Sequence, residues 1–480
     1  MSDRSYQPDP AFAGLGAEFA DPVEPASFPA AIPRYWNDRW AGEVGLSGLD
    51  DAARAAHFHR FEPLPDNLEA PLALRYHGHQ FRSYNPQIGD GRGFLFAQLR
   101  DGRGRLLDLG TKGSGQTPYS RTGDGRLTLK GAVREILAAE MLEALGVNTS
   151  KIFAVYETGE QLHRGDEPSP TRSAVMTRLS HSHVRIGMFQ RHAYFNRPDL
   201  IEALMDYAIA QFHPEAAGGE TPERAAKFLK AVCAAQAKLC AEWMAAGFVH
   251  GVLNTDNLVV TGESFDYGPW RFLPSLQMGF TAAYFDETGL YAYGRQPESV
   301  LWALEQLAGC LTLIGEEKSL VAALMTFPDA YRAAIYEAWL RRLGLQPLDA
   351  ASDEAFITAF LNFMRESQLP FEAVIFDWFG GMASEKRAMA GPRAAAYSND
   401  GFSEVLEGFR ARQPRRPERL SHAWFARENP VHMVIEEVEG LWAPIAENDD
   451  WSAFHAMLAS IGEAREGYDL ADGRAGFLPR

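Results

Sequence analysis

Cysteine is nearly absent: the 480 residues hold three, Cys233, Cys240 and Cys310. Three is an odd number, and none of the spacings forms a metal knuckle. That excludes a disulfide framework and a thiolate zinc cluster, and points to a reducing compartment. Long hydrophobic runs are missing as well. None approaches the roughly 18 apolar residues that a membrane-spanning helix needs, so no membrane partner is expected. Positive charge is in deficit, with 46 Lys and Arg against 63 Asp and Glu and a net charge of −17. An acidic balance argues against nucleic acid or an anionic membrane as the main partner. The start, MSDRSYQPDP, has neither a basic segment leading into an apolar one nor an Arg-rich amphipathic stretch. A cytoplasmic location follows as the expectation, with a monomer as the default state.

What is present changes character along the chain. Residues 1–70 are rich in Pro, Gly and aromatics and read as an arm packed on the body, with a short helix around Asp51–Phe58. From Leu72 to Leu109, short apolar runs alternate with glycine-rich turns, and two strands joined at Asp101-Gly102 form a hairpin. The segment LTLKGAVREILAAEMLEALG has helical apolar spacing and ends at Gly146. VNTSKIFAVYET and SAVMTRL read as strands. Helices dominate from Asp199. One opens at Thr221-Pro222, with Thr as its cap, and runs to Gly247. Others are expected from Glu298, Ala323, Asp353 and Asp449, and the Arg/Pro-rich stretch 410–422 reads as a surface connector. No internal repeat is visible. The expected class is α+β, with a strand-rich lobe (71–190), a mostly helical lobe (191–340) and a helical C-terminal region (341–480).

Four pieces of sequence carry chemistry, and their order matters more than any one of them. Gly89-Asp90-Gly91-Arg92-Gly93 can bring backbone N–H groups up to a phosphate, although a tight turn would look the same. Lys112 closes a strand and Glu135 sits on the next helix. In a kinase-like lobe such a pair orients the ammonium toward phosphate oxygens; otherwise the two are surface charges. Glu140, on the same helix, competes for that role. Five residues turn it about 140° away, so one of the two should face the cleft and the other water. The sharpest piece is His250-Gly251-Val252-Leu253-Asn254-Thr255-Asp256-Asn257, followed by a short LVV strand and Asp266-Tyr267-Gly268. The offset from His250 to Asn257 matches a kinase catalytic loop, and Asn257 and Asp266 offer hard oxygen ligands for Mg²⁺ or Mn²⁺. A kinase, however, would carry an aspartate where Val252 stands. Asp256 is the one carboxylate in that loop besides the metal candidate. Arg178 and Arg185 suit a triphosphate. The pairs His77/His79 and His181/His183 are better explained by hydrogen bonding than by zinc.

Several stretches together resemble the selenoprotein O family: RYHGHQFRSYNPQIGDGRG, LGTKGSGQTPYSRTGDGRLTLKGAVREILAAEMLEALGVNTS, TRLSHSHVRIGMF and GFVHGVLNTDNLVVTGESFDYGP. The resemblance covers roughly residues 70–300. It implies a protein-kinase-like two-lobed fold that binds ATP in an inverted orientation and transfers AMP to Ser, Thr or Tyr hydroxyls of proteins. It makes Lys112 the phosphate lysine with Glu135 as its partner, and Arg178 and Arg185 phosphate ligands. Gly89, Gly91, Arg92, Asp124 and Gly125 become further nucleotide contacts. Asp256 matches the base, and Asn257 and Asp266 match the metal ligands. An inverted nucleotide would also explain Val252. Four departures stand out. Arg82 replaces a glycine near the expected pocket, and Arg271 replaces another. The C-terminal third resembles the family only faintly, and the tail AGFLPR lacks the redox cysteine or selenocysteine. Two other functions remain open on these residues: a kinase using Asp256, and a non-catalytic ATP-binding interaction module.

Overall fold

The architecture comes from a computed structural model that describes residues 4–165, 167–471 and 476–477. Within the tail AGFLPR, only Gly476 and Phe477 are among the described residues.

The first half of the chain is organised by an antiparallel sheet. Its strands are β1 (Ala20–Pro22), β2 (Ile32–Trp36), β3 (Leu72–Leu74), β6 (Leu95–Arg100), β7 (Leu106–Lys112), β8 (Leu127–Thr128), β9 (Lys151–Leu162) and β10 (Thr171–Ser180), while β4 (Gly78–Gln80) and β5 (Ser83–Asn85) pair separately. The spatial order is β1-β3-β6-β7-β10-β9-β2, with β8 pairing on β10. The first 70 residues therefore supply both edge strands, β1 and β2. The expected hairpin is β6–β7, turning through residues 101–105.

Strands such as FLFAQL and RLLDL are apolar almost throughout because both faces of this sheet are covered. One face packs Phe96, Leu107, Leu109 and Phe153 against Trp40 of α1 (Asp38–Glu43) and Phe58 of α2 (Asp51–Phe58). The other packs Leu95, Val155 and Met176 against Ile136 and Leu137 of α3 (Leu129–Ala144). Each such large side chain contributes about 1.5–3 kcal/mol when fully buried. The side chain of Thr128 caps α3 by accepting from the Gly131 N–H at 3.1 Å, and Gly146, at φ +78°, turns the chain out of it.

The second half is helical. After α4 (Ile186–Tyr194) and α5 (Pro198–Phe212) comes the long α6 (Thr221–Ala245), around which α7 (Gln296–Leu311), α8 (Glu317–Leu324) and α9 (Phe327–Arg342) pack. Between α6 and α7 lie a small ribbon, β11 (Phe248–Val249) with β12 (Arg271–Phe272), and the polar loops. The helices that follow include α10 (Ala350–Ser367) and a last helix, Ser452–Tyr468, that returns to pack on the back of α3. The α+β, two-lobed kinase-like architecture with a helical extension is what the sequence implied.

Local expectations fare unevenly. The cap of α6 is Glu220, not Thr221, whose hydroxyl instead bonds Glu202. No helix begins at Ala323; α8 ends just beyond it and α9 starts at Phe327. The LVV strand shrinks to a single bridge between Val259 and Arg185. The connector 410–422 is not purely superficial, because Arg412 is buried against Asp353 at 2.8 Å.

Candidate functional site

Where the sheet meets the helical half, a cavity of about 540 Å³ opens. That size is within the usual range for small-molecule sites. It is lined by Gly89, Gly91, Arg92, Lys112, Asp124, Gly125, Arg178, Arg185, Asp256 and Asp266; Asn257 is not in the lining, and Glu135 stands behind Lys112 and Arg178. Seven basic side chains reach it (Arg92, Lys112, Arg121, Arg126, Arg164, Arg178 and Arg185) against four acidic ones (Asp90, Asp124, Asp256 and Asp266). A chain of net charge −17 has gathered a local excess of cations here. Such a concave, basic lining attracts and holds anions.

At the centre is a four-residue charge network. Lys112, at the end of β7, donates to Glu135 Oε1 at 2.6 Å and to Asp266 Oδ1 at 2.7 Å. Arg178, on β10, donates to Glu135 Oε2 at 2.7 Å and lies 3.7 Å from Asp266. Glu135 thus orients two cations at once. Burial opposes the charge on Asp266, but Lys112 foremost and then Arg178 hold its carboxyl well below the usual carboxylate range. Arg185 caps the start of α4 and pairs with Asp90 Oδ1 at 2.5 Å, while the other oxygen of Asp90 accepts from the Leu74 N–H. Phe265 lies against both guanidinium groups, 4.5 Å from Arg178 and 5.0 Å from Arg185. Each arginine keeps a buried Nε–H with no partner among the described residues. The seven-residue spacing of this pair reflects a strand end and a helix cap, not one helix face.

Glu140 behaves differently from either expectation. It faces away from the cleft, as its helical offset requires, but not toward water. It is buried behind α3, where it accepts from Tyr35 at 2.9 Å and pairs with Arg39 and Arg465. The arm and the last helix cover the surface that was expected to be solvated.

The two polar loops are tied together by His250. A carbonyl can only accept, so its Nε2–H donates to Phe265 O, at 2.8 Å. Asn257 ends a short 3-10 turn (Thr255–Asn257), and its amide donates to Val252 O at 3.0 Å, leaving its own oxygen for another partner. Val252 does not line the cavity; Asp256 does. Asp256 Oδ1 is buried and has no hydrogen-bond partner among the described residues. Burial pushes this carboxyl up to about 6, against the pull of Arg185.

The glycines line the cavity and also give room to a neighbouring loop. A Cβ on Gly89 would lie 2.4 Å from the Tyr119 ring, and one on Gly91 would lie 3.1 Å from Tyr119 O. Both make room for the loop 113–126, which closes over the cavity. Ser120 Oγ donates to Gly91 O at 2.6 Å, and Thr117 Oγ1 to Asp90 O. Gly125, at φ +68°, abuts Gly115. Asp124 is held by both terminal nitrogens of Arg164, at 2.7 and 3.0 Å.

Arg126 and Arg164 were not anticipated, because nothing in their local sequence marks them. Asp90 could have been found: it stands inside GDGRG, where an acid beside a proposed phosphate loop needs a cation. Arg82 points away from the cavity, pairing with Glu298 at 2.9 Å and lying over Trp302. Arg271 is spent on the carbonyls of Pro269 and Trp270. The four histidines are engaged separately. His77 meets Tyr84, His79 meets Gln190, His183 meets Asp108, and the half-buried His181 donates its backbone N–H to Glu263. Among the described residues no group of three or more His, Cys, Asp or Glu gathers as a metal cluster.

Comparison with known proteins decides the family. The family described as "Protein adenylyltransferase SelO" matches residues 3–462. The chain belongs to the SelO family. Relatives named "Protein nucleotidyltransferase YdiU" include one from Synechococcus elongatus, 43% identical over 474 residues and spanning 94% of each chain. Another, from Gloeobacter violaceus, is 43% identical over 96% of each chain. A third, from Ruegeria, is 35% identical over 96% of this chain and 94% of its own. As a SelO-family member the chain is an enzyme of the nucleotidyltransferase class. The match also corrects the reach of the resemblance. It extends well beyond residues 70–300, because the arm and the C-terminal helices belong to the same family frame as the cavity. No helix among the described residues is long and apolar enough to cross a membrane.

Proposed function

We propose that this SelO-family chain transfers AMP from ATP to Ser, Thr or Tyr hydroxyls of proteins, releasing pyrophosphate and using Mg²⁺, with Mn²⁺ as a substitute. The observation that carries this reading is the pairing of a cation-rich cavity with Asp256, the carboxylate that lines it where Val252 does not. Lys112, Arg178 and Arg185 hold the β- and γ-phosphates through their positive charge, which is permanent on the two guanidiniums. Gly89, Gly91, Arg92, Asp124 and Gly125 border the rest of the nucleotide. The acceptor oxygen attacks the α-phosphorus, the α–β anhydride bond breaks, and pyrophosphate departs with the cations around it. The hydroxyl proton passes to Asp256, whose carboxyl near 6 is ionised at neutral pH yet basic enough to accept it.

The residues present fit a hard divalent cation. Asn257 has its amide nitrogen tied to Val252, so its oxygen is free to ligate, and Asp266 adds a carboxylate. Bound there, Mg²⁺ supplies charge neutralisation on the phosphates. Lys112 and Arg178 pair with Asp266 and keep that carboxylate ionised and ready for exchange. The test is the intact mass of an acceptor protein after incubation with ATP. It should rise by one adenylyl group with the wild type and stay unchanged with Asp256→Ala, which still binds ATP. A gain of one phosphate, or full transfer by Asp256→Ala, would contradict the proposal.

A further inference from the structure

The hairpin β4–β5 lies directly on the loop that carries Asp256. The His79 N–H donates to Thr255 Oγ1 at 2.7 Å, and the Phe81 N–H donates to Asn254 Oδ1 at 3.0 Å. The Thr255 hydroxyl in turn donates to Gln190 Oε1 at 2.6 Å, and the Gln190 amide reaches back to His79 Nδ1, also at 2.6 Å. Hairpin, loop and α4 are therefore joined in a closed circuit around the residue next to Asp256. Tyr291 reinforces it by donating to Asn254 Oδ1 at 2.9 Å.

The closest approach is at Gly78. A Cβ there would stand 2.8 Å from Asp256 Oδ1, 3.2 Å from its Cβ and 3.0 Å from Ile88 Cδ1. Gly78 is not among the positive-φ glycines, so any residue could take its backbone conformation. Space is the reason for glycine at this position, and the atom needing the space is the unpartnered oxygen of Asp256. The tip of the hairpin is strained, with Phe81 and Arg82 at φ +50° and +62°. It is held down by the Phe81–Asn254 bond and the Arg82–Glu298 pair.

We infer that Gly78 and Thr255 are positioning residues for Asp256: the gap at Gly78 sets where the carboxylate sits, and the Thr255 hydroxyl fixes the hairpin over it. This rests on the reading of Asp256 as the base. The experiment measures kcat for AMP transfer from α-labelled ATP, ATP affinity by calorimetry, and melting temperature, on Gly78→Ala, Thr255→Val, Thr255→Ser and Asp256→Asn. Gly78→Ala should lower kcat about 10- to 100-fold, the scale of a small misplacement of a reacting group, with ATP affinity unchanged. Thr255→Val should fall in the same way, and Thr255→Ser should keep wild-type kcat. Wild-type kcat in Gly78→Ala would overturn the inference. So would equal losses of kcat and ATP affinity, or a Thr255→Ser as impaired as Thr255→Val. Should Gly78→Ala fail to fold, the two Thr255 variants decide by the same criteria. Full transfer by Asp256→Asn would instead overturn the role given to Asp256. An inactive Asp256→Asn beside an unaffected Gly78→Ala would overturn only the positioning.

Discussion

One helix, α3, carries two charge clusters that look alike in sequence and differ in kind. Glu135 faces the cavity with Lys112, Arg178 and Asp266. Glu140 and Glu143 face the opposite side, where Arg39 pairs with both, Arg465 with both, and Trp40 donates to Glu143. The rear cluster is built into the packing between the arm and the last helix, where each carboxylate pairs with both guanidiniums. The front cluster opens on a cavity where basic groups outnumber acidic ones. Charges that complete each other hold a structure together. Charges left in surplus around a space are suited to bind something. The rear cluster fixes the orientation of α3, and through it the placement of Glu135 and the two cations it holds.

The comparison breaks if the two clusters respond alike to substitution. The largest effect should come from the front. Lys112→Ala should reduce AMP transfer by about 10²–10³-fold, the scale of losing one preorganised electrostatic contact to the transition state. ATP affinity should fall with it, while the melting temperature moves little; steady-state kinetics and calorimetry read both. At the rear, Glu140→Gln should cost about 1–3 kcal/mol in denaturant unfolding, because Arg39 and Arg465 lose one charged partner and keep Glu143. The folded fraction should retain nearly normal ATP affinity. If Glu140→Gln abolished nucleotide use while Glu135→Gln was silent, the roles of the two glutamates would be reversed.

A smaller effect sharpens the same contrast through pH. Burial opposes ionisation of Glu143, but Arg39 foremost, then Arg465 and Lys151, hold its carboxyl down at about 2, against an ordinary 4.5. A folded-state value below the unfolded one stabilises the protein above the unfolded value, and that stability is lost as pH falls through the folded value. The stability difference between wild type and Glu143→Gln should therefore be full at pH 7 and shrink between about pH 4.5 and pH 2. Thermal melts across that range check it. A difference that stayed constant would remove the rear cluster from the account of acid sensitivity.

Much of this was legible in the residues because it depends on short-range order. The helix α3 with its turn at Gly146, the β6–β7 hairpin and the helix Asp51–Phe58 follow from local propensity and periodicity. The front cluster was legible as an ordered series of residue types, Lys112, Glu135, Arg178 and Asp266. What escaped depends on contacts distant in sequence. Glu140 meets Arg465, 325 residues away, and no local pattern says so. Nothing local in GDGRG shows that Gly89 also makes room for Tyr119, 30 positions later in the numbering. Arg164 reaches Asp124 from another strand connection, and Gly78 meets Asp256 across the cleft. The sheet edges β1 and β2 were hidden because each is short and interrupted by proline or polar residues.

The central claim is that the cavity presents the α-phosphate, not the γ-phosphate, to an acceptor beside Asp256. Parallel incubations with α-labelled and γ-labelled ATP test it most directly, on the wild type and on Val252→Asp. The account predicts label on protein from the α position only, in both proteins, since the γ-phosphate is held among Lys112, Arg178 and Arg185. Label from the γ position in the wild type would contradict it, as would γ-transfer gained by Val252→Asp.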